Sequence, residues 1–227
     1  QAARMLVARL PELTRSRAIA HVPELPIPPA AAWFVSGFKK EIEGNDGPEG
    51  RMLIFLEGSA RLLDRATRDV RSALGRAGVP ETTIIDTGAH DTFARTIDAA
   101  LATIAERSVT YRFGGLPDAV EKRCLDALAR AADAGLTVDA MGDVLNGDCY
   151  VRVSARDART FAEAIEAYDD ALHAGAPNAV VVASAAPIRG SLDVWGADPN
   201  AIERMQALKH RFDPNAILNR GRFIGGI

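Results

Sequence analysis

The sequence predicts an α+β fold in which helices cover one face of a mainly antiparallel sheet. Three observations carry that prediction. Helix-like and strand-like apolar periods alternate through residues 51–183. Residues 136–154 read as two strands joined by a turn, a hairpin that argues against an all-parallel doubly wound sheet. The resulting order is strand, helix, strand, hairpin strand, helix, strand. It follows the ferredoxin-like βαββαβ theme, single or duplicated.

Taken in order, residues 1–14 carry Met5, Leu6, Val7 and Leu10 ahead of Pro11 and form an amphipathic helix or strand that leads in. Residues 17–22 make a candidate strand stopped by Pro23. Pro23, Pro26, Pro28 and Pro29 then fix φ and remove donors, so this stretch is stiff and extended. Pro28 and Pro29 are well placed to start a helix, predicted from Ala30 through Trp33 and Phe34 to about Lys40. Residues 43–50 are an exposed turn by composition.

Residues 51–57 are a strongly apolar strand ended by Gly58 and Ser59. Leu62, Leu63, Ala66, Val70, Ala73 and Leu74 then mark one face of a helix over 60–77. A short or edge strand follows at 82–86. A helix over 91–105 aligns Phe93, Ile97, Leu101 and Ile104. Strand 109–113 precedes a helix from Pro117 to Ala134 that stops at Gly135. After the hairpin strands 136–141 and 149–154, a helix over 157–174 aligns Phe161, Ile165, Tyr168 and Leu172, and 178–183 is a buried strand. The expected organisation is a lead-in and linker over 1–50, an α+β body over 51–185, and a C-terminal helix with a return segment over 186–227.

Composition narrows the function classes. The chain is 48% hydrophobic and 25% charged, in the range of globular proteins, with only 6% aromatics, so the core must rely on aliphatic and small side chains. A net charge of −3 gives no general drive toward nucleic acid or an anionic membrane surface. No apolar run approaches the roughly 20 residues a membrane span needs. The N-terminus lacks a secretory pattern, and a cytoplasmic location is expected. Cys124 and Cys149 have no metal-ligand spacing and read as two unrelated buried thiols. His21, His90, His173 and His210 lack any His-x-x-x-His company, so a metal site is not expected. Ser59, Ser184 and Ser191 show no nucleophile-elbow context.

The most specific stretch is the last. A helix carrying Met205, Leu208 and Phe212 on one face runs into Asp213 and Pro214, where proline ends it. The pattern Lys-x-x-Phe-Asp-Pro-x-x-Ile-Leu-Asn-x-Gly-Arg, from Lys209 to Arg222, resembles the closing signature of FAD-linked oxidases of the vanillyl-alcohol oxidase type. The likeness is nearest to the FAD-binding subunit of glycolate oxidase. Arg220 stands where that signature has proline.

The resemblance covers roughly residue 51 onward and implies a substrate or cap domain, with FAD bound mostly by a domain whose Gly-rich stretch does not occur here. The chain is accordingly expected to be the C-terminal part of a larger protein. The implied reaction is oxidation of a 2-hydroxy acid such as glycolate to the 2-oxo acid. By the same resemblance, a second flavoprotein and an iron–sulfur subunit are implied partners, through which a membrane-peripheral position could arise. The site must hold a substrate carboxylate, a task that suits the planar guanidinium fork. Arg112, Arg152 and Arg189 are the candidates, with Arg112 and Arg152 expected on the open face of the sheet. Asn219 and Arg222, inside the matched signature, are expected near the cofactor. No catalytic residue is assigned, and His90 is the only histidine with a case for testing as a base. A rival reading is a non-catalytic ferredoxin-like module that binds a small ligand or dimerises. Such a module should present an apolar open face, whereas a cap should present an arginine-bearing one.

Overall fold

The structure, a computed structural model, describes residues 2–37, 50–79, 81–86, 88–102, 107–196 and 199–227. Its strands are β1 (Ala2–Leu10), β2 (Ala31–Ser36), β3 (Gly50–Gly58), β4 (Thr82–Ile85), β5 (Ser108–Gly114), β6 (Thr137–Asp143), β7 (Asp148–Ser154) and β8 (Val180–Ser184). All eight lie in one sheet of order β4-β1-β3-β2-β6-β7-β5-β8. Every pairing is antiparallel. The helices are α1 (Glu12–Ala20), α2 (Ala60–Arg76), α3 (Ala89–Ala102), α4 (Val120–Asp133), α5 (Ala158–Gly175), the single turn α6 (Ala186–Arg189) and α7 (Pro199–Phe212).

This order divides into two ferredoxin-like repeats. In the first, β1-α1-β2-β3-α2-β4 gives strands ordered β4-β1-β3-β2. In the second, β5-α4-β6-β7-α5-β8 gives β6-β7-β5-β8, the same order reversed. The repeats join at their equivalent strands, β2 and β6, where Trp33 to Ser36 pair with Asp143 to Ala140. The duplicated form of the theme is therefore the one adopted.

Helices α1, α2, α4 and α5 share one face and one core. Phe34, Met52, Ile54, Leu63, Val70, Tyr111, Val120, Phe161 and Ile165 all belong to it and are 3% exposed or less. Alternation along the strands supplies the inward half: Val109, Tyr111 and Phe113 of β5, and Cys149, Val151 and Val153 of β7. Gly142 of β6 lets α4 approach closely, since a Cβ there would lie 2.8 Å from Val120 Cγ2 and 3.0 Å from Cys124 Sγ. Helix α3 departs from the one-faced arrangement. It links β4, at one edge of the sheet, to β5, beside the other edge. It therefore crosses the opposite face, reaching β1 at one end and β8 at the other.

Two sequence expectations are corrected. Residues 17–22 are not a strand: α1 occupies 12–20, starting after Pro11 at φ −57°. Its Leu, Arg and Ala residues favour helix, and Arg15 Nε and Ser16 Oγ donate to Glu121 Oε1 of α4 at 2.8 and 3.0 Å. Residues 30–36 are not a helix. The proline start signal is overridden by pairing on both sides, with β3 and with β6, and by an alternation that buries Ala32 and Phe34 in the main core. The lead-in over 1–14 resolves into β1 followed by the start of α1. The turn expected at 43–49, the helix end at 38–40 and Ile104 lie outside the described residues.

The tail after α7 is built around one carboxylate. Asp213 accepts the N–H groups of Ile217 and Leu218, each at 3.0 Å, and the Lys209 ammonium at 2.6 Å. These donors hold its carboxyl down at about 2, the lysine contributing most. Ala216 and Asn219 adopt left-handed backbone with φ of 48° and 47°. Asparagine tolerates this conformation, whereas alanine takes it at a cost. Phe212 and Ile217 stand 78% and 76% exposed, while Ile224 turns back inward.

Candidate functional site

The face opposite the four core helices changes character from one repeat to the other. Over β1 and β3 it is apolar: Met5, Val7, Leu53 and Phe55 pack against Ala89, Phe93 and Ile97 of α3. Phe55 and Phe93 stack with centroids 4.7 Å apart. Beyond the β2–β6 seam, alternation places Asp139, Met141 and Asp143 of β6, Asp148, Tyr150 and Arg152 of β7, and Thr110 and Arg112 of β5 on this face. Among the described residues this face is thus apolar over the first repeat, a cluster that continues through Val35 and Met141 with Trp33 and Tyr150 packed on it, and arginine-bearing over the second.

Arg112 and Arg152 sit diagonally on this face, because Arg112 pairs with Tyr150 and Thr110 with Arg152. Their surroundings differ. Arg152 keeps 11% of its side chain exposed and donates through Nε and Nη2 to Asp139 Oδ2 at 3.1 and 2.7 Å, forming an ion pair between β6 and β7. Arg112 keeps 47% of its side chain exposed. Only its Nη2 is engaged, with Asp148 Oδ1 at 3.1 Å and Oδ2 at 3.0 Å. Its Nε and Nη1 have no partner among the described residues. The guanidinium carbon lies 6.0 Å from the Tyr150 ring centroid, and that ring lies 5.9 Å from Trp33 across the seam. Burial raises the Tyr150 phenol above its ordinary value, with the Arg112 charge pulling against it and Asp148 and Asp143 adding to it. The phenol thus stays protonated at neutral pH.

Arg189 and Arg222 meet elsewhere. They line one open cleft of about 570 Å³ with Val181, Leu192, Trp195 and Phe223. Arg189 Nε donates to Ser184 Oγ at 3.2 Å and Nη2 to the Ser184 carbonyl at 3.3 Å. Phe223 sets its ring edge against Trp195 at 4.9 Å, docking the tail on this wall. Asn219 turns the chain, its carbonyl accepting the Arg222 N–H at 3.0 Å. Of the five predicted residues, Arg112 and Arg152 therefore share the sheet face, Arg189 and Arg222 share the C-terminal cleft, and Asn219 lies in the turn that leads to Arg222.

His90 lies under the first repeat, its Nδ1 3.6 Å from Glu57 Oε1 and its ring against Phe55, remote from either place. Among the described residues no three His, Cys, Asp or Glu side chains are grouped to hold a metal. Cys124 and Cys149 are not unrelated. Both are buried, Cys149 Sγ donates to the Val120 carbonyl of α4 at 3.7 Å, and interaction with Cys149 together with burial raises Cys124 well above the usual thiol range.

Trp33, Tyr150 and Asp148 were not singled out from the sequence. Tyr150 was recoverable, because it stands two residues before Arg152 and shares its strand parity. Trp33 was hidden by the helix expected over 30–40.

The fold has close structural counterparts. A p-cresol methylhydroxylase with substrate bound superposes on 98% of this chain at a TM-score of 0.63 and 13% identity, with 52% of its own length covered. A 4-ethylphenol oxidase from Gulosibacter chungangensis, in an isoeugenol complex, matches 98% at 0.59 and 14% identity, with 53% of its length covered. An alkyldihydroxyacetonephosphate synthase matches 96% at 0.52 and 14% identity, with 44% of its length covered. The fold is one that members of the FAD-linked oxidase family share. At these identities the likeness is one of fold, and the chain spans about half the length of those structures. No protein-family model and no curated protein matches the sequence.

FAD is the cofactor of that family. At the two glycines that end β3 and follow β5, a Cβ would meet Leu62 at 2.6 Å above Gly58 and the Arg123 guanidinium at 2.6 Å above Gly115, so neither is an open cradle of the kind a pyrophosphate takes. The exposed side chains of Asn219 and Arg222 can offer donors to a cofactor's edge and nothing more.

Proposed function

We propose that residues 1–227 form the substrate-side cap of an FAD-dependent oxidoreductase that converts a 2-hydroxy acid such as glycolate to the 2-oxo acid. The observation that carries this reading is Arg112, a half-exposed guanidinium held by one nitrogen on the arginine-bearing face of a sheet shared in fold with FAD-linked oxidases. Its unengaged Nε–H and Nη1–H can each give a single charge-assisted hydrogen bond to a substrate carboxylate, while Asp148 holds Nη2 and orients the guanidinium. Arg152, through Asp139, keeps the adjoining strands in place beneath it. Arg189, Asn219 and Arg222 belong to the cofactor side, where a separate flavin-binding domain closes against the tail. FAD, when bound there, supplies the two-electron acceptor. The exposed Phe212, Ile217 and Leu218 suit such a closure, because they carry apolar surface that the described residues do not cover. Partner flavoprotein and iron–sulfur subunits in the cytoplasm belong to the same reading. Among the described residues no helix is long and apolar enough to cross a membrane.

The test is anaerobic mixing of the flavin-loaded protein that contains these residues with glycolate and its longer 2-hydroxy homologues. The flavin absorbance should bleach, and Arg112→Ala should weaken substrate binding by about ten- to a hundredfold with flavin content unchanged. Failure of every 2-hydroxy acid to bleach the flavin overturns the reading. The chain by itself should retain no flavin through dialysis.

A further inference from the structure

His173, in the last turn of α5, presents both of its ring nitrogens to the same kind of partner. Nδ1 lies 2.9 Å from the carbonyl oxygen of Asp169, one turn earlier in the helix. Nε2 lies 3.1 Å from the carbonyl oxygen of Ala179, just before β8. A carbonyl oxygen only accepts, so each contact needs a proton on the nitrogen. A neutral imidazole carries one such proton and an imidazolium two, so this is the geometry of the charged ring. The surroundings suit a charge. Asp169 sets Oδ1 3.7 Å from Nδ1, and the carbonyl end of α5 adds the negative pole of its dipole. Tyr111 of β5 stands edge-on with ring centroids 6.4 Å away, its buried phenol held neutral. Asp193 points one carboxylate oxygen at the amides of Trp195 and Gly196. Arg130 of α4 brings a cation to the end of α5, where a Cβ on Gly175 would lie 2.6 Å from its guanidinium.

The Nε2 contact reaches the wall of the C-terminal cleft. A Cβ on Gly196 would lie 2.2 Å from the Ala179 oxygen and 2.9 Å from His173 Nε2, so the segment that carries Trp195 packs directly on this bond. That segment is also anchored on both sides of the histidine. The Asp193 N–H donates to Asp169 Oδ2 at 3.0 Å, and the Val194 carbonyl accepts the Val181 N–H at 2.9 Å. Trp195 in turn receives the ring of Phe223 from the tail. We infer that His173 is a pH-operated clasp on this wall, closed while its ring is charged and half-released when the ring is neutral. The proton that stays is the one on Nδ1, which lies nearer its carbonyl and beside the Asp169 carboxylate. Nε2 then turns a lone pair toward the Ala179 oxygen, and the two repel. The displacement falls on Ala179 and Gly196, and through them on Trp195 and the docked Phe223. The contact is therefore present at low pH and lost as pH rises through the titration of the ring. The clasp concerns how the tail is held and stands apart from the redox reading.

The experiment is nuclear magnetic resonance of the imidazole nitrogens and the indole N–H groups across about pH 5 to 9, the range over which histidines titrate. The four histidines and the two tryptophans, Trp33 and Trp195, are few enough to assign. At the acid end both nitrogens of His173 should carry protons that exchange slowly with water. As pH rises Nε2 should lose its proton while Nδ1 keeps its own. The Trp195 indole signal should shift in step, and the Trp33 signal, on the far repeat, should stay fixed. Protection of the Val181 amide, corrected for the intrinsic rate, should fall roughly tenfold, the effect of one lost hydrogen bond. His173→Gln cannot titrate, so the Trp195 signal should become independent of pH, with an unmoved Trp33 signal reporting that the variant is folded. The nitrogen spectrum of the parent protein stands as a test without any variant. A His173 nitrogen that lacks a proton at the acid end overturns the inference. So does a Trp195 signal that stays flat while His173 titrates, or one that still shifts in His173→Gln. The Asp213 turn titrates far lower, its carboxyl being held at about 2, and does not enter this range.

Discussion

Replacing Tyr111 by phenylalanine removes a single oxygen from the middle of the second repeat. The ring is fully buried, and its hydroxyl donates to Asp169 Oδ1 at 2.8 Å, where Asp169 is itself only 4% exposed. Burial, reinforced by the nearby carboxylate, pushes the phenol far above its ordinary value, so it remains a donor at any pH the fold experiences. The other Asp169 oxygen accepts the Asp193 N–H at 3.0 Å, which pins the segment leading to Trp195. A hydrogen bond to a buried charged acceptor contributes about 1.5–3 kcal/mol, and here the carboxylate left behind cannot turn to water instead. Tyr111→Phe should therefore cost about 2 kcal/mol. For a chain of this size that corresponds to a fall in Tm of roughly 4–8 °C. Urea unfolding followed by tryptophan emission measures the loss. A cycle with Asp169→Asn should return a coupling above about 1 kcal/mol, since the two side chains share one bond. A Tyr111→Phe variant within about 0.5 kcal/mol of the parent would refute the reasoning, because a buried carboxylate would then have lost its donor at no cost.

Two further outcomes follow from the same geometry. The Asp213 carboxyl is held at about 2, below the ordinary carboxylate range. Its contribution is complete above pH 4 and disappears as pH falls from there through 2, so amide exchange at Ile217 and Leu218 should accelerate over that window and no higher. Asp213→Asn should abolish the pH dependence. Separately, Cys124 and Cys149 should resist alkylation in the native chain and become labelled together on unfolding, since both are buried and Cys124 is held protonated. Labelling of one thiol under native conditions would contradict their joint burial.

Strand parity made much of this legible before any coordinates. Tyr111 and Arg112 are neighbours in sequence, and the period of a strand alone sends one to the core and the other to the open face. The hairpin at β6–β7 and the helices over 60–77 and 157–174 were legible for the same reason: their periods are local. What stayed hidden was non-local. Residues 31–36 carry a proline start signal that suits a helix, and only pairing with β3 and β6 on either side decides for a strand. With β2 read as a helix and part of α1 as a strand, the first repeat could not be laid out, and the theme stayed open between single and duplicated. The acidic partners of the arginines were equally out of reach, because the pairing of Arg152 with Asp139 depends on the β6–β7 register. That Cys124 and Cys149 interact follows from α4 lying against β7, which no spacing rule contains.

The β2–β6 join has a mechanical meaning. The two repeats are knitted together there by four registered pairs, fewer than the nine that bind β1 to β3 or the seven that bind β5 to β7. The edge pairings of β4 with β1 and of β8 with β5 are equally short, at four pairs each, but losing either sheds only one strand, whereas parting at the seam would give two half-sheets, each with its own pair of helices. Trp33 leaning on Tyr150 and α3 strapped across the back are the stitches that reinforce it. Anything that presses that tryptophan harder against the tyrosine would act as a rivet through the line that joins the two repeats.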